Sequence, residues 1–340
     1  MKLNKVMLLV AGSLASCFIQ TSSLFAAEVN VYSARQEELI KPLLDKFTAE
    51  TGIKVNLITG NADELITRIN SEGRNSPADL LITTDVGRLA RAKQQGAIQA
   101  VESETLTSVI PAHLRDPAGV WYGLTVRARP IMYVEGKVDP AELSTMEALT
   151  DPKWKGKICV RSSSNIYNQS HVAAMIANDG AEAAESWAKG LVANFARPPQ
   201  GGDRDQIRAA AAGVCDIALA NTYYLGAMLA DPKEQAQAAK IKVFWPNQDG
   251  HGVHINVAGA GVATFAPNKT NAVKLLEYMV QPEAQRWYAE VNHEYPIRTD
   301  VAISSILEGF GTFKADDLAL EQLGELNAEA IRVLDRSGWR

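Results

Sequence analysis

The short motifs that announce catalysis are missing from this sequence. It has no nucleophile elbow, no phosphate-binding loop, no dinucleotide fingerprint and no HExxH helix. Cysteine is scarce, at three residues, and none has the paired spacing of a zinc site. Positive charge is also short: 34 Lys and Arg stand against 39 Asp and Glu, for a net charge of -5. With no basic cluster to offset that balance, nucleic acid is excluded as a partner. No internal repeat or low-complexity tract is present. Ser162-Ser163-Ser164 reads as a polar loop rather than a nucleophile. What remains is ordinary globular material, 46% hydrophobic and 21% charged over 340 residues, enough for one large or two medium domains.

The first residues read as an export signal. Lys2 and Lys5 form a basic start, Val6–Phe18 is apolar, and the small residues Ala26 and Ala27 precede Glu28. The apolar stretch is too short to span a bilayer. Leu14-Ala15-Ser16-Cys17 fits a lipoprotein cleavage box, which would make Cys17 a lipid anchor. The segment after it is apolar at Phe18-Ile19 rather than a polar tether, so release into the periplasm is the expectation. Cys159 and Cys215 then remain, and an even count in an oxidising compartment suggests a disulfide. The alternative is two separate buried thiols.

Along the chain, strands alternate with helices. Val29–Tyr32, Lys54–Ile58 and Leu80–Thr83 read as strands, and Glu37–Thr51, Asp63–Glu72 and Val86–Gln95 as helices. This pattern predicts βαβ units and a parallel sheet covered on both faces. A second α/β series begins after Gly123–Arg129. It has strands near Ile131–Val134, Lys157–Arg161, Ile217–Ala220 and Lys242–Trp245, and helices over His171–Asn178, Glu182–Asn194, Asp203–Ala212 and Ala227–Ala239. An Asp203…Gln206 capping box opens the third of these helices. Apolar, Gly-rich Asn256–Phe265 is a return crossing, followed by helices over Asn271–Val280 and Glu283–Val291 and a helical pair in Asp316–Asp335. Such a chain is an α/β protein of two lobes with a cleft at the hinge, where ligands gather at strand carboxyl ends. The expected division is 1–26 signal, 27–125 with 256–300 as lobe 1, and 126–255 with 301–340 as lobe 2.

Asn221-Thr222-Tyr223-Tyr224 follows one predicted strand, and adjacent tyrosines at a strand mouth are an odd choice for packing alone. Turned toward one cleft, they would offer two hard oxygens to a trivalent cation. His251-Gly252-Val253-His254 has two imidazoles separated by two residues, a spacing that suits a metal, but a surface loop near the hinge is the expectation. Tyr133 is read as structural.

Several stretches resemble the ferric-iron solute-binding proteins of bacterial ABC importers, also called bacterial transferrins. They include Tyr32-Ser33-Ala34-Arg35, Ser76-Pro77-Ala78-Asp79, Val126-Arg127-Ala128-Arg129 and Pro199-Gln200-Gly201-Gly202-Asp203-Arg204-Asp205-Gln206. Asn221-Thr222-Tyr223-Tyr224 and Asn292-His293-Glu294-Tyr295-Pro296 complete the set. The resemblance runs from about Glu28 to Phe313 and implies a type 2 periplasmic binding fold with an interlobe cleft and two hinge crossings. It implies Tyr167, Tyr223 and Tyr224 as ligands of Fe3+. It also implies a carbonate or similar synergistic anion held by Arg127, with Gln36 and, as weaker candidates, Arg35 and Tyr32 contacting the same place on closure. Where many members place a first-lobe His or Tyr, this chain has Gln36 and Glu37. Thr84 and Asp85 stand where another branch has a Glu.

The chemistry agrees with that expectation. Three phenolates cancel the charge of a ferric ion, and a free phenol's pKa near 10 means that binding expels protons. Arginine suits the anion because it stays charged and donates a planar fork. The expected protein is therefore a monomeric, non-enzymatic periplasmic carrier of ferric iron that docks on an ABC permease in the inner membrane. The alternative within the same fold is a carrier of an organic anion or a polyamine.

Overall fold

The computed structural model describes residues 27–340. The export signal and the Cys17 cleavage box lie outside the described residues. Two sheets organise the rest. The first takes β1 (Glu28–Ser33), β2 (Lys54–Thr59), β3 (Leu80–Thr83), β4 (Ile98–Gln99) and β5 (Tyr122–Ala128). After β5 the chain crosses to a second sheet of β6 (Ile131–Val134), β7 (Ile158–Cys159), β8 (Ile217–Leu219) and β9 (Ile241–Phe244). It returns through β10 (Ile255–Ala263) and β11 (Tyr295–Pro296), which rejoin the first sheet.

The first sheet runs β11-β5-β10-β3-β1-β2, with β4 on β10, and the second runs β7-β8-β6-β9. Neither is purely parallel. β1 pairs parallel with β2 and β3, but β10 is antiparallel to both β3 and β5, and β6 is antiparallel to β8 and β9. The crossing strands cause this, because each enters its sheet from the other lobe without a helical crossover to reverse it. All seven residues of β5 are buried, so the first sheet keeps residues 126–128 and the crossing falls at Arg129-Pro130 rather than at 125/126.

Local chemistry places the helices. Asn61, Asp85 and Asn165 each accept a backbone N–H two residues on, at 2.9 Å, and so open helices at Ala62–Glu72, Val86–Gln94 and Ile166–Asp179. Gly202 rather than Asp203 caps the Asp203–Ala211 helix, with Asp205 accepting the Gly202 N–H at 2.7 Å. Asn221 precedes a helix at Thr222–Ala230, so the adjacent tyrosines sit in a first helical turn and not on an extended strand mouth. Gly226 on that helix lets it approach the first lobe, since a Cβ there would lie 2.6 Å from the His293 Cβ.

The tail holds the lobes together. Ala315 bridges to Val253, and the helix Glu321–Glu325 packs against both the Val86–Gln94 and the Ile166–Asp179 helices. The tail therefore joins both lobes rather than only the second. Cys159 at the end of β7 and Cys215 before β8 form a disulfide, with Cα atoms 5.9 Å apart.

Candidate metal centre

Three helix N-termini meet at the cleft between the sheets. Tyr167 is the second residue of its helix, Arg204 the second of the Asp203–Ala211 helix, and Tyr223 and Tyr224 the second and third of theirs. Helix N-termini carry partial positive charge and favour anions, phenolates among them. The loops after β1 and β3 and the first turn of the Val86–Gln94 helix supply the opposite wall, where Arg35, Gln36, Thr84 and Arg88 face a cavity of about 270 Å³.

A buried knot registers these helices. Arg129 donates to Asp203 at 3.0 Å, to the Asn221 side chain at 3.0 Å and to the Asn168 side chain at 2.7 Å. Asp203 also accepts the Asn221 N–H at 2.8 Å and the Arg161 guanidinium at 3.1 Å. The Asp203–Arg129 pair thus ties together the starts of all three helices, Asp203 holding the Asn221 N–H and Arg129 reaching Asn168 on the Tyr167 helix. Asp203 and Arg129 are both fully buried, a costly arrangement unless fully bonded. Sequence reasoning missed this knot, having read Asp203 only as a helix cap.

The phenols converge. The Tyr223 hydroxyl donates to the Tyr167 oxygen at 3.2 Å, and the Tyr223 and Tyr224 rings lie 4.2 Å apart between centroids. Neighbouring oxygens of an octahedral shell with bonds of about 2.1 Å are about 3 Å apart, so this spacing suits one small hard cation. Burial, reinforced by Tyr167, pushes the Tyr223 phenol well above its ordinary pKa, while Arg127 opposes the shift. Burial and then Tyr167 raise Tyr224 too. Without a cation both hold their protons at neutral pH, and a cation must displace them.

The expected anion residues separate in the structure. Arg127 does not reach the open cavity: it is buried and pairs with Asp85 at 3.1 Å and with the Thr84 carbonyl. Its guanidinium carbon lies 5.6 Å from the centre of the Tyr167 ring, so it acts on the phenols from behind. Tyr32 is buried in the first lobe with its hydroxyl 3.3 Å from Glu72, away from the cavity, because β1 turns that side chain into the core. Arg35 lines the cavity but is paired with Glu294 at 2.7 Å. Gln36 is exposed at the cavity rim. Arg88 and Arg204 also line the cavity, and Arg204 lies 5.8 Å from the Tyr224 ring centre. Arg88, Arg204 and Glu294 were not singled out from the sequence, although two of them fall within the Gln200–Gln206 and Asn292–Pro296 stretches. Glu37 opens a short turn at Glu37–Leu39 and is exposed.

Asp85 links the lobes under the site. It accepts the Ser170 hydroxyl at 2.7 Å, the Asn256 side-chain amide at 2.9 Å and Arg127. Ser170 comes from the Tyr167 helix and Asn256 from β10, so this carboxylate joins the cleft floor to a crossing strand.

Residues 43–308 match the family described as bacterial extracellular solute-binding protein. The iron uptake protein A1 of Synechocystis sp. is 51% identical over 315 residues, covering 92% of this chain and 88% of that protein. The major ferric iron-binding protein of Neisseria meningitidis serogroup A is 28% identical, over 92% of this chain and 94% of that protein. Among solved structures, the FutA protein of Trichodesmium in complex with iron and citrate superposes with a TM-score of 0.89 at 52% identity, covering 92% of this chain and all of that one.

Proposed function

The chain is a bacterial extracellular solute-binding protein of the ferric-iron-binding family, a periplasmic carrier that captures ferric iron for an ABC importer, and we propose that Tyr167, Tyr223 and Tyr224 hold the ion. The observation that carries this assignment is the 3.2 Å contact between the Tyr223 and Tyr167 oxygens, with the Tyr224 ring tilted against that of Tyr223 at the interlobe cavity. Three phenols gathered at one cavity without a cation have no evident purpose. With a ferric ion they supply three negative charges and three hard oxygens.

The remaining coordination positions take oxygens of a small anion, carbonate or a carboxylate such as citrate. Arg204 and Arg88 are the guanidiniums that face it, and Gln36 borders it from the first lobe. Arg127 keeps a supporting role: its charge favours the ionised phenols while Asp85 holds it in place. Because Glu294, a first-lobe carboxylate at the cavity, is engaged by Arg35 and the remaining first-lobe groups include the neutral Gln36 and Thr84, the ion is held chiefly from the second lobe and the co-anion fills the opposite face. A polyamine is disfavoured by a cavity wall carrying three arginines. The protein acts without chemical change to its cargo, as a monomer whose closed lobes dock on the permease.

The test is equilibrium dialysis of iron-free protein against ferric citrate. Replacing Tyr167, Tyr223 and Tyr224 together by Phe lowers ferric affinity by well over about 100-fold, more than the loss typical of a single supporting residue. Unchanged affinity in that variant overturns the ligand assignment.

A further inference from the structure

A second cluster of metal-ligating side chains lies at the far end of the Tyr167 helix. That helix runs from Ile166 to Asp179, so its two ends are about 18 Å apart and the second cluster shares nothing with the phenols. His251, in the loop between β9 and β10, stands between two carboxylates. Its Nδ1 is 3.4 Å from Asp316 Oδ2, and its Nε2 faces Glu147 Oε1 at 4.0 Å. Glu147, Asp179 and His251 each bring a potential ligand atom within 4.8 Å of the others.

We propose that Glu147, Asp179 and His251 form a second cation site, selective for a zinc-class divalent ion, with Asp316 positioning the imidazole. Metal-bound histidines commonly hand their other ring nitrogen to a carboxylate, which fixes the ring and its tautomer. Asp316 faces that nitrogen at 3.4 Å as a charge contact, outside hydrogen-bond geometry, while the Asn247 amide lies 3.3 Å from Nε2 and would turn away to admit an ion. Asp316 is itself held by the Asn178 side chain at 2.6 Å and by the Leu318 N–H at 3.1 Å. Glu147 is held by the Asn247 side chain at 2.8 Å, so the donors are anchored before any ion arrives.

Charge and space point the same way. Among the described residues, no Lys or Arg forms an ion pair with Glu147, Asp179 or Asp316, and the single His251 leaves their charge uncompensated. The space lined by Glu147, His251 and Asp316 is about 10 Å³, room for one bare ion or one water and nothing larger, and the exposed Asp179 stands outside that lining, on the solvent side of the ligand cluster. His171 lines that same space from beneath, 3% exposed, with Nδ1 lacking any hydrogen-bond partner. An orphaned buried imidazole is costly unless something polar occupies the space before it. One imidazole with carboxylate oxygens suits zinc-class ions better than magnesium or calcium. By joining Asp179 to the loop that feeds β10, a bound ion would clamp the second lobe to the return crossing.

The experiment measures Zn2+ by equilibrium dialysis and Co2+ by visible absorption on the iron-free chain carrying Tyr223→Phe and Tyr224→Phe, which weakens any binding at the phenols. The expected result is one Zn2+ per chain, weakened at least about 10-fold by Asp179→Asn and by His251→Gln. Asp179 is exposed, so its loss of binding reports ligation rather than unfolding. Ferric capture by Asp179→Asn and His251→Gln chains with intact tyrosines stays at the wild-type level. Absence of Zn2+ from the Phe background overturns the proposal. So does full retention of Zn2+ in both variants.

Discussion

Ferric capture should be steeply dependent on pH, and the slope counts the phenols. Burial keeps Tyr223 and Tyr224 protonated at neutral pH in the iron-free protein, with pKa values moved further up from the phenol range. Each phenol that ionises on binding adds one unit to the slope of log affinity against pH, so three give about 4 kcal/mol per pH unit. From pH 7 to pH 5.5 that amounts to about 6 kcal/mol, a weakening of more than about 10⁴-fold. The sign follows from the proton release: affinity is lost as pH falls. Competition against a chelator of known protonation behaviour, corrected for ferric hydrolysis and repeated at half-unit steps, yields the slope directly. Tyr223→Phe lowers it by one unit, because one fewer proton is displaced. A slope below one, or a slope unchanged by Tyr223→Phe, refutes the phenolate reasoning.

Other consequences concern stability and the anion. The disulfide closes a loop of 56 residues, so replacing Cys159 and Cys215 by Ser lowers unfolding free energy by about 4 kcal/mol, read from urea curves. Arg127→Met leaves Asp85 buried without its charged partner and costs about 3–5 kcal/mol of stability; normal stability with lost ferric binding would instead restore Arg127 as the anion clamp. Arg204→Ala weakens capture of ferric citrate by about 10-fold or more while leaving unfolding curves unchanged, since its guanidinium faces the cavity. Burial, followed by the charge of Arg129, depresses His171 to about 3, whereas the unfolded chain takes up a proton near pH 6.5. This contribution is present above pH 6.5 and is lost as pH falls toward 3, by up to about 1.4 kcal/mol per unit. Urea midpoints at pH 7 and pH 5 test it, and an increase in stability at pH 5 would contradict it.

Much of the architecture was legible because local signals agreed with the global fold. Alternating strands and helices, the glycine-rich return of Asn256–Phe265 and the hinge stretch at Val126–Arg129 led to two lobes with a cleft, and the two sheets bear that out. The parallel pairing holds for β1, β2 and β3, whereas the crossing strands run antiparallel, since periodicity reports burial and not strand direction. Tyr167 lies within a helix that starts at Ile166, ahead of the predicted His171, because Asn165 caps it. An apolar pattern cannot mark a helical turn whose side chains face a polar cleft. The tyrosine pair was visible for the opposite reason: two adjacent phenols stand out from ordinary packing. Arg127 illustrates the limit of motif reasoning. An arginine in the hinge can face a ligand or a buried carboxylate, and only the position of Asp85, 42 residues away in sequence, decides which. His251 was expected in a surface loop, and it does lie in a loop, but Asp316 and Glu147 reach it from distant segments.

The most direct test is a visible-absorption titration of the iron-free protein with a ferric chelate, with and without bicarbonate or citrate. The account predicts a phenolate-to-iron charge-transfer band that saturates at one equivalent, weakens when Tyr223 or Tyr224 becomes Phe, and shifts with the anion supplied. Tight ferric binding with no such band would contradict tyrosinate ligation and leave the three phenols as packing residues.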